Sequence, residues 1–326
     1  MRVVIFEYIS SGVCKPESLY PDLIKEADLI VNELGQRMTE AGCDLVLFRS
    51  RSLPPPLFEA EIIPLDEADD WNTILEDELY NADAYLPLAP ESDALLENLC
   101  LKAEQAHCTL LNTSAHTVRE TSNKQDTLKR LSAHRIPCVS CYHIDQCTFP
   151  MPEDVVIKPN NRLACEYTFL IHAGDMPTSI QKQHAQICQP YLQGTDASLS
   201  IIYAPDSKPC ILGVNRQEIA VVEQNCFQLN ACRVNALAHL ELDFEGLAAD
   251  VQKCFTGLLG YVGIDIIICD DIPYILEINP RLTTSFAGLA KTTSVNPCAM
   301  LLAAVYGEPL PCPKRSEFTD YTIGIT

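Results

Sequence analysis

The chain has 326 residues, of which 47% are hydrophobic and 21% charged, and its formal net charge is -21 at pH 7. This composition predicts a globular protein, not a disordered one, and the length predicts two or three subdomains. The negative charge opposes general binding to nucleic acid or to an anionic membrane, so we expect neither as a partner. No apolar run has membrane-spanning length, and the start, "MRVVIFEYISSG", is typical of a strand and not of a secretion signal, so we expect a cytoplasmic location.

Strand and helix patterns alternate over about the first 110 residues. Strands are predicted at "RVVIFEY", "DLVLFRS" and "AYLPLAP", and a helix is predicted where apolar residues recur between Leu23 and Met38. Such alternation favours an α/β unit with a parallel sheet of three or four strands. The segment "RSLPPPLFEAEIIP" is expected to be a surface connection, because its run of prolines blocks a helix or a central strand.

A second region begins near Ser114 with two predicted helices. Ser122 or Asn123 can cap the second helix, which places Lys124 in its first turn beside unpaired backbone N–H groups. From about residue 138, short strands follow one another closely, as in the antiparallel sheets of an α+β fold. A helix, a hairpin at "VGIDIIICDDIPYILEINPR" and a closing helix at "NPCAMLLAAVYG" are predicted after them.

The sixteen cysteines show no spacing typical of a secreted disulfide framework. We expect them to be reduced and to act as small core residues. The cluster "CVSCYHIDQC" contains a C-x-x-C pair that could begin a zinc site, which is the alternative. A structural zinc site usually joins two such pairs, and this segment is predicted to be a buried strand.

Two carboxylates lie on the two strands of the predicted hairpin. A turn with an odd number of residues puts Asp265 opposite Glu277 on one face, whereas an even-numbered turn separates them. In the first register Asp265, Glu277 and Asn279 present oxygen ligands of the kind that magnesium takes together with phosphates. Arg281 can then bind a phosphate or a carboxylate in a bidentate way. The alternative is a solvent-facing strand with alternating polar residues.

Lys158 ends the apolar strand "DVVIK". An unpaired ammonium group is unfavourable to bury, so a phosphate partner would explain its position. The alternative is a lysine that extends its charged end to water from the end of the strand.

The ordered segments "NK", "VIKP", "QPYLQGTD", "GVNRQEI", "GID" and "LEINPR" resemble the ATP-grasp superfamily over roughly residues 114 to 305. The resemblance implies a pre-ATP-grasp domain at residues 1–113, a small lobe with a nucleotide lid at 114–192, and a metal-bearing lobe at 193–326. It implies ATP and Mg²⁺ as cofactors, with Mn²⁺ as a substitute. It also implies the residues that would hold them: Lys124 and Lys158 at the phosphates, Gln189, Tyr191 and Leu192 at the base, Asp196 at the ribose, Asp265, Glu277 and Asn279 at the metal, and Arg281 as the catalytic phosphate contact beside Lys158.

Within that superfamily, "FEYISSG" and "LEINPRLTTSFAGL" are most similar to the tyramine-glutamate ligase group of methanofuran biosynthesis and its methylotrophic bacterial relatives. This likeness implies that a glutamate carboxylate is activated and joined to an amine, so the expected partners are a small amino acid and an amine. A dimer is common among the relatives, so a homodimer is an open expectation.

The loop "NNRLACEY" after Lys158 departs from the family pattern, because it lacks the glycines that normally let this loop close over the phosphates. Asn160 and Asn161 tolerate left-handed backbone and can replace part of that freedom, and Arg162 can reach a phosphate. The departure keeps two alternatives open. One is a nucleotide-binding protein without turnover, and the other is an ATP-grasp ligase for a different pair of substrates.

Two further segments are candidates for binding the acceptor. Three hydroxyl residues follow the strand that carries Glu277 and Asn279, which we call the metal strand. They are Thr283, Thr284 and Ser285, and they could bind a carboxylate or else cap the next helix. Glu7, with Tyr8, Ser10 and Ser11 beside it, lies at the carboxyl end of the first strand, where open α/β sheets bind ligands. Glu7 could meet an amine there or could cap its own loop.

Overall fold

The N-terminal part of the molecule is a parallel sheet with helices on both faces. The computed structural model describes residues 1–14, 21–160, 165, 167–184 and 186–325. The first sheet has five parallel strands in the order β3-β2-β1-β4-β5. The strands are β1 (Arg2–Glu7), β2 (Asp44–Ser50), β3 (Glu61–Leu65), β4 (Ala84–Leu88) and β5 (Thr109–Leu110), and the helices are α1 (Pro21–Glu40), α2 (Trp71–Leu79) and α3 (Leu95–Ala106).

The prediction of three or four strands in this sheet is wrong. The proline-rich connection ends in β3, and β5 is a short fifth strand. Pro64 lies within β3 at the edge of the sheet, where a residue without an N–H group costs little because one side of the strand has no neighbour. The segment is therefore excluded from the centre of the sheet, as expected, but not from the sheet itself.

Both faces of the first sheet are buried, which explains its continuous apolar strands. Val3 and Ile5 pack against α1 in one core, whereas Val4 and Phe6 pack against α2 and α3 in another. This arrangement leaves the strand ends as the places where polar side chains can gather.

Two short helices lead from the first sheet into the second. They are α4 (Ala115–Ser122) and α5 (Lys124–Ala133). Asn123 is the cap of α5, because its side chain accepts a hydrogen bond from the backbone N–H of Asp126 at 3.0 Å. Lys124 is the first residue of α5, as predicted, and its side chain is buried.

The second sheet has four antiparallel strands in the order β6-β9-β7-β8. They are β6 (Tyr142–His143), β7 (Val155–Lys158), β8 (Phe169–Ile171) and β9 (Ile187–Pro190), with α6 at Ser179–His184. The expectation of a buried strand in "CVSCYHIDQC" is wrong, because the two strand residues there, Tyr142 and His143, are exposed, and Cys138 makes an isolated bridge to Ile275. Within the described ranges, no three His, Cys, Asp or Glu side chains come together in a way that could hold a metal.

The third sheet has six antiparallel strands in the order β14-β13-β10-β11-β12-β15. Two of its strands, β12 and β15, were not predicted. The strands are β10 (Thr195–Tyr203), β11 (Cys210–Val221), β12 (Phe227–Val234), β13 (Gly260–Cys269), β14 (Ile272–Asn279) and β15 (Tyr321–Gly324), and the helices are α7 (Phe244–Cys254), α8 (Phe286–Thr292) and α9 (Pro297–Tyr306).

One hydrophobic core joins the first sheet to the third. It contains Ile5 and Leu34 from the N-terminal part together with Leu212, Phe286 and Leu301 from the C-terminal part, each at most 1% exposed. Burial of this kind fixes the two sheets relative to each other. The loops at the ends of β1 and β4 can therefore contribute to a site on β14.

The expectation that all cysteines are reduced is wrong for one pair. Cys210 on β11 and Cys312 are disulfide-bonded with their Cα atoms 5.5 Å apart, and the other fourteen cysteines are free. The two partners are separated by 102 residues, so their spacing gave no signal. Among the helices of the described residues, none is both long and apolar enough to cross a membrane.

Candidate active site

The hairpin of β13 and β14 brings Asp265 opposite Glu277, although its turn has an even number of residues. Its turn has two residues, Asp270 and Asp271, with φ values of 51° and 60°. Positive φ at both positions is typical of a type I′ turn. An even-numbered turn alone would place Leu276 opposite Asp265. The register shifts by one residue next to Asp265, however, so that Asp265 pairs with Glu277 while Ile266 pairs with Ile275. The turn is therefore even-numbered, and this β-bulge restores the facing pair that an odd-numbered turn would have given.

The two carboxylates and the neighbouring amide form one hydrogen-bonded group. Asn279 Nδ2 donates to Asp265 Oδ2 at 3.1 Å, and Gln217 Nε2 on β11 donates to Asp265 Oδ1 at 2.9 Å. Lys124 Nζ lies 2.8 Å from Glu277 Oε2. Three oxygen-bearing side chains on adjacent strands suit a hard cation such as Mg²⁺, which keeps some waters and takes phosphate oxygens as its remaining ligands.

The pKa values of the two buried carboxylates are shifted in opposite directions. Burial and the negative charge of Glu277 raise the pKa of Asp265 to about 7. Burial alone would also raise the pKa of Glu277, but the nearby Lys124 and Lys158 ammonium groups lower it to about 2. The direct hydrogen-bond donors to Asp265 are thus the neutral amides of Asn279 and Gln217, and a bound divalent ion would favour its charged form.

A cavity between the second and third sheets collects the residues expected to bind a nucleotide. We call it the hinge cavity, and its volume is about 870 Å³ including its open mouth. Apolar side chains such as Phe227, Ile267 and Leu276 form part of its wall. The four residues predicted to contact the nucleoside and one predicted phosphate lysine line it. They are Gln189, Tyr191, Leu192 and Asp196, together with Lys158.

Two polar groups in the hinge cavity, Gln189 and Asp196, are placed to contact a ligand. Gln189 is 2% exposed, and its Nε2 group has no hydrogen-bond partner within the described parts of the chain. Burial raises the pKa of Asp196, although the charge of Arg216 acts in the opposite direction. A buried donor without an acceptor is unfavourable, so the geometry suits a ligand that supplies one.

Lys158 ends β7 and is half-buried, near the carboxylates of the hairpin. Burial lowers its pKa, while the charge of Glu277 opposes that effect. Lys124 contacts Glu277 from α5 and lines a small adjoining cavity, not the hinge cavity itself. The structure thus brings both predicted phosphate lysines to Glu277.

Arg281 lies at the end of the metal strand and is held by an acidic residue from the first sheet. Its Nε and Nη2 atoms lie 2.8 and 3.3 Å from the two carboxylate oxygens of Glu91. Both side chains are largely buried, 16% and 12% exposed. Sequence analysis missed Glu91, although its place just after β4 is one where ligand-binding residues of α/β sheets occur.

A second cavity lies between the end of the first sheet and the metal strand. We call it the interdomain cavity, and its volume is about 980 Å³ including its mouth. Its wall combines apolar residues of the N-terminal part with polar residues of the C-terminal part, the latter including Arg281 and Thr284. The hinge and interdomain cavities share four residues, which are Gln217, Leu229, Asp265 and Glu277. Gln217, another residue that sequence analysis missed, therefore stands at the junction of both.

The acceptor candidates fall into different places. Glu7 lines the interdomain cavity and also caps its own loop, since its carboxylate accepts the backbone N–H groups of Ile9 at 3.1 Å and Ser10 at 2.5 Å. Burial raises the pKa of Glu7. Tyr8, Ser10 and Ser11 do not line this cavity.

The "RLTTS" hydroxyls all line the interdomain cavity. Ser285 occupies the cap position of α8 but makes no side-chain cap bond there. Its hydroxyl instead lies 2.9 Å from Ser200 Oγ, and the Thr283 hydroxyl lies 3.0 Å from Tyr261 Oη. The Thr284 hydroxyl donates to Glu26 on α1. The alternative of a side-chain helix cap is therefore wrong, and two of these hydroxyls instead make buried contacts that fix the loop.

The loop "NNRLACEY", which lacks the glycines of the family pattern, lies mostly outside the described residues, because these omit 161–164 and 166. Asn160 is described, and its Oδ1 accepts a hydrogen bond from the Gln125 backbone N–H at 3.0 Å. The expectations for Asn161 and Arg162 stay predictions.

Comparison with known families identifies the fold. Residues 121–285 match the ATP-grasp domain, and residues 43–118 match the pre ATP-grasp 3 domain. Because the first match covers half of the chain, the protein belongs to the ATP-grasp family. The predicted family and its mixed fold class, a parallel sheet followed by antiparallel sheets, are confirmed.

Individual relatives narrow the likeness. The chain is 29% identical over 216 residues to the tyramine–L-glutamate ligase of Methanocaldococcus jannaschii, a match that covers 66% of this chain and 61% of that ligase. An ATP-grasp superfamily protein from Archaeoglobus fulgidus has a TM-score of 0.71 at 20% identity, with 99% of both chains covered. The biotin carboxylase domain of Hydrogenobacter thermophilus 2-oxoglutarate carboxylase, solved with MgADP, ADP and bicarbonate, has a TM-score of 0.70 at 11% identity, with 97% of this chain and 72% of that one covered. The predicted likeness to the tyramine-glutamate ligase group is confirmed.

Proposed function

We propose that the protein is an ATP- and Mg²⁺-dependent ligase that joins a carboxylate to an amine through an acylphosphate. The observation that carries this proposal is the junction of two cavities at Asp265, Glu277 and Gln217. One cavity has the apolar walls and unpaired donor that suit a nucleotide, and the other has the carboxylates and hydroxyls that suit small polar substrates. A phosphate at the junction would be within reach of both.

Each proposed role follows from position and charge. In the hinge cavity Gln189, Tyr191 and Leu192 would contact the base and Asp196 the ribose, while Lys124 and Lys158 would neutralise the phosphates. Asp265, Glu277 and Asn279 would hold Mg²⁺, or Mn²⁺ in its place, which supplies positive charge to the phosphate oxygens.

The proposed chemistry has two steps. A substrate carboxylate oxygen attacks the terminal phosphorus of ATP, ADP leaves, and the amine then displaces phosphate from the acyl carbon. Negative charge grows on the transferring group, where fixed cations stabilise the transition state most. Arg281, held in a fixed direction by Glu91, would supply one of these cations.

For the substrates we propose glutamate as the acyl donor and tyramine or a related amine as the acceptor, in a methanofuran-like cofactor pathway. The support is the likeness to the Methanocaldococcus jannaschii ligase, of whose length the match spans 61%. The division into units at residues 113 and 192, the cytoplasmic location and the homodimer stay predictions.

The test measures ADP release from Mg²⁺ and ATP, with glutamate and tyramine added separately and together. We expect release only with both substrates, and loss of turnover in Glu277→Gln, since the neutral amide removes a metal ligand. The matched control is Glu223→Gln, which changes an exposed carboxylate in the turn between β11 and β12. Nucleotide binding without ADP release across a wider panel of amino acids and amines would favour the non-catalytic alternative.

A further inference from the structure

We propose that Glu26 on α1 binds the ammonium group of the amine substrate in the interdomain cavity. This inference deepens the proposed ligase function and rests on it. Neither the sequence motifs nor the metal site involve Glu26, which comes from the first helix of the N-terminal part.

The first argument is the state of the Glu26 carboxylate. Glu26 is half-buried and lines the cavity. One carboxylate oxygen accepts the Thr284 hydroxyl, and the other has no hydrogen-bond partner within the described residues. A partly buried carboxylate beside apolar walls is unfavourable unless a cation meets it.

The second argument is that the other carboxylates around this cavity are already engaged. Glu7 accepts two backbone N–H groups of its own loop, Glu91 pairs with Arg281, and Glu277 pairs with Lys124. Asp265 accepts hydrogen bonds from Gln217 and Asn279 and belongs to the proposed metal site. Among the described carboxylates around this cavity, Glu26 thus has an oxygen left to bind a ligand.

The third argument is the surface beside Glu26. Leu23, Ala27 and Ile30 lie three and four residues apart around it on α1, so they share one helix face with it, and all line the cavity. Leu88 and Leu282 add apolar surface from β4 and from the loop after β14. This wall suits an ammonium group attached to an apolar body.

The charge of the cavity wall also argues against a carboxylate next to that ammonium group. Among the lining residues that the structure describes, Arg281 is the only cation, and its charge is already met by Glu91 in a direct pair and by Glu277 and Glu26 more weakly. An α-amino acid would bring a further carboxylate close to Glu26, where the negative charges of the described residues already outnumber that one cation. The site is therefore expected to prefer an amine such as tyramine over the corresponding amino acid, tyrosine.

The position of Glu26 is compatible with reaction. The Thr284 hydroxyl ties Glu26 to the loop that begins at Arg281, and the cavity extends to Asp265 and Glu277, where it meets the hinge cavity. An amine held by Glu26 would thus stand on the side of the metal strand opposite the proposed base site.

The test compares tyramine binding in wild-type protein and Glu26→Gln by calorimetry, with a non-hydrolysable ATP analogue and Mg²⁺ present. Loss of one charged hydrogen bond should weaken tyramine binding about 10- to 100-fold. The matched control, Glu40→Gln, removes an exposed carboxylate from the other end of α1 and should leave the affinity unchanged. Wild-type protein should also bind tyrosine more weakly than tyramine.

A second variant separates charge from structure. Thr284→Val removes the hydroxyl partner but keeps the Glu26 carboxylate, so tyramine affinity should change by less than about threefold. Unchanged tyramine binding in Glu26→Gln, no tyramine binding by wild-type protein, or weakened glutamate binding in its place would overturn the inference. ADP release is measured separately, so failure of the ligase proposal and failure of the Glu26 assignment give different results.

Discussion

The pair of Arg281 and Glu91 should stabilise the contact between the first sheet and the metal strand. Glu91→Gln keeps the shape of the side chain but removes the negative charge that pairs directly with the guanidinium group, where Glu277 and Glu26 act more weakly. Because the two side chains are only 16% and 12% exposed and two N–O distances of 2.8 and 3.3 Å join them, we expect a loss of about 3 kcal/mol in the free energy of unfolding.

The size of the thermal shift follows from chain length. At about 2.1 cal/mol/K per residue, the unfolding entropy of 326 residues is about 0.7 kcal/mol/K, so the loss corresponds to a fall in Tm of about 4 °C. Differential scanning fluorimetry of the ligand-free protein measures it.

The control for this prediction is an exposed pair of the same kind. Arg233 and Asp320 lie 3.1 Å apart with 37% and 56% of their side chains exposed. Exposed pairs contribute up to about 1 kcal/mol, so Asp320→Asn should lower Tm by about 1.5 °C or less. Equal shifts in the two variants would refute the reasoning that burial makes the Glu91 contact important.

Three further predictions concern the hinge cavity and the metal site. Gln189→Met should raise KM for ATP about tenfold without lowering Tm, because the side chain loses a donor that has no partner among the residues the structure describes; a clear fall in Tm would contradict this. Gln217→Leu should weaken the apparent Mg²⁺ affinity of turnover about 10- to 100-fold, because it removes the donor that orients Asp265, and an unchanged Mg²⁺ titration would argue against that role. Burial raises the pKa of Asp196 above its ordinary 3.8, so just above pH 3.8 the folded protein retains a proton that the unfolded chain has lost. Stability therefore falls as the pH rises from about 3.8 through the pKa of the folded protein. Asp196→Asn should therefore gain Tm over wild type as the pH of ligand-free protein rises above about 4, and a constant difference in Tm would contradict the expected sign.

The sequence predicted candidate site residues where a polar group interrupts an apolar pattern. Lys158 at the end of β7 and Glu277 within β14 are both of this kind, and the structure places them near each other. The facing of Asp265 and Glu277 was a conditional prediction, since it depended on the turn. The two-residue turn with a bulge pairs Asp265 with Glu277, as an odd-numbered turn would have done. The bulge has this effect because it adds one unpaired residue to β14.

Residues that act through distant contacts had no such signal. Glu91 is 190 positions from Arg281, and Glu26 is 258 positions from Thr284, so only the shared core of the two sheets brings each pair together. Gln217 lies in a strand that was predicted, but its contact with Asp265 depends on how β11 and β13 flank β10. The edge strands β3 and β15 were missed because pairing with one neighbour requires little from the local pattern.

The most direct test of the central claim follows an oxygen atom. With ¹⁸O in both carboxylates of glutamate, the proposed attack on ATP transfers one labelled oxygen to phosphate when the amine displaces it. Mass spectrometry should therefore find one ¹⁸O in the phosphate for each amide product formed with tyramine. Unlabelled phosphate released together with ADP, and no amide product, would mean that water attacks ATP, which would contradict the ligase account.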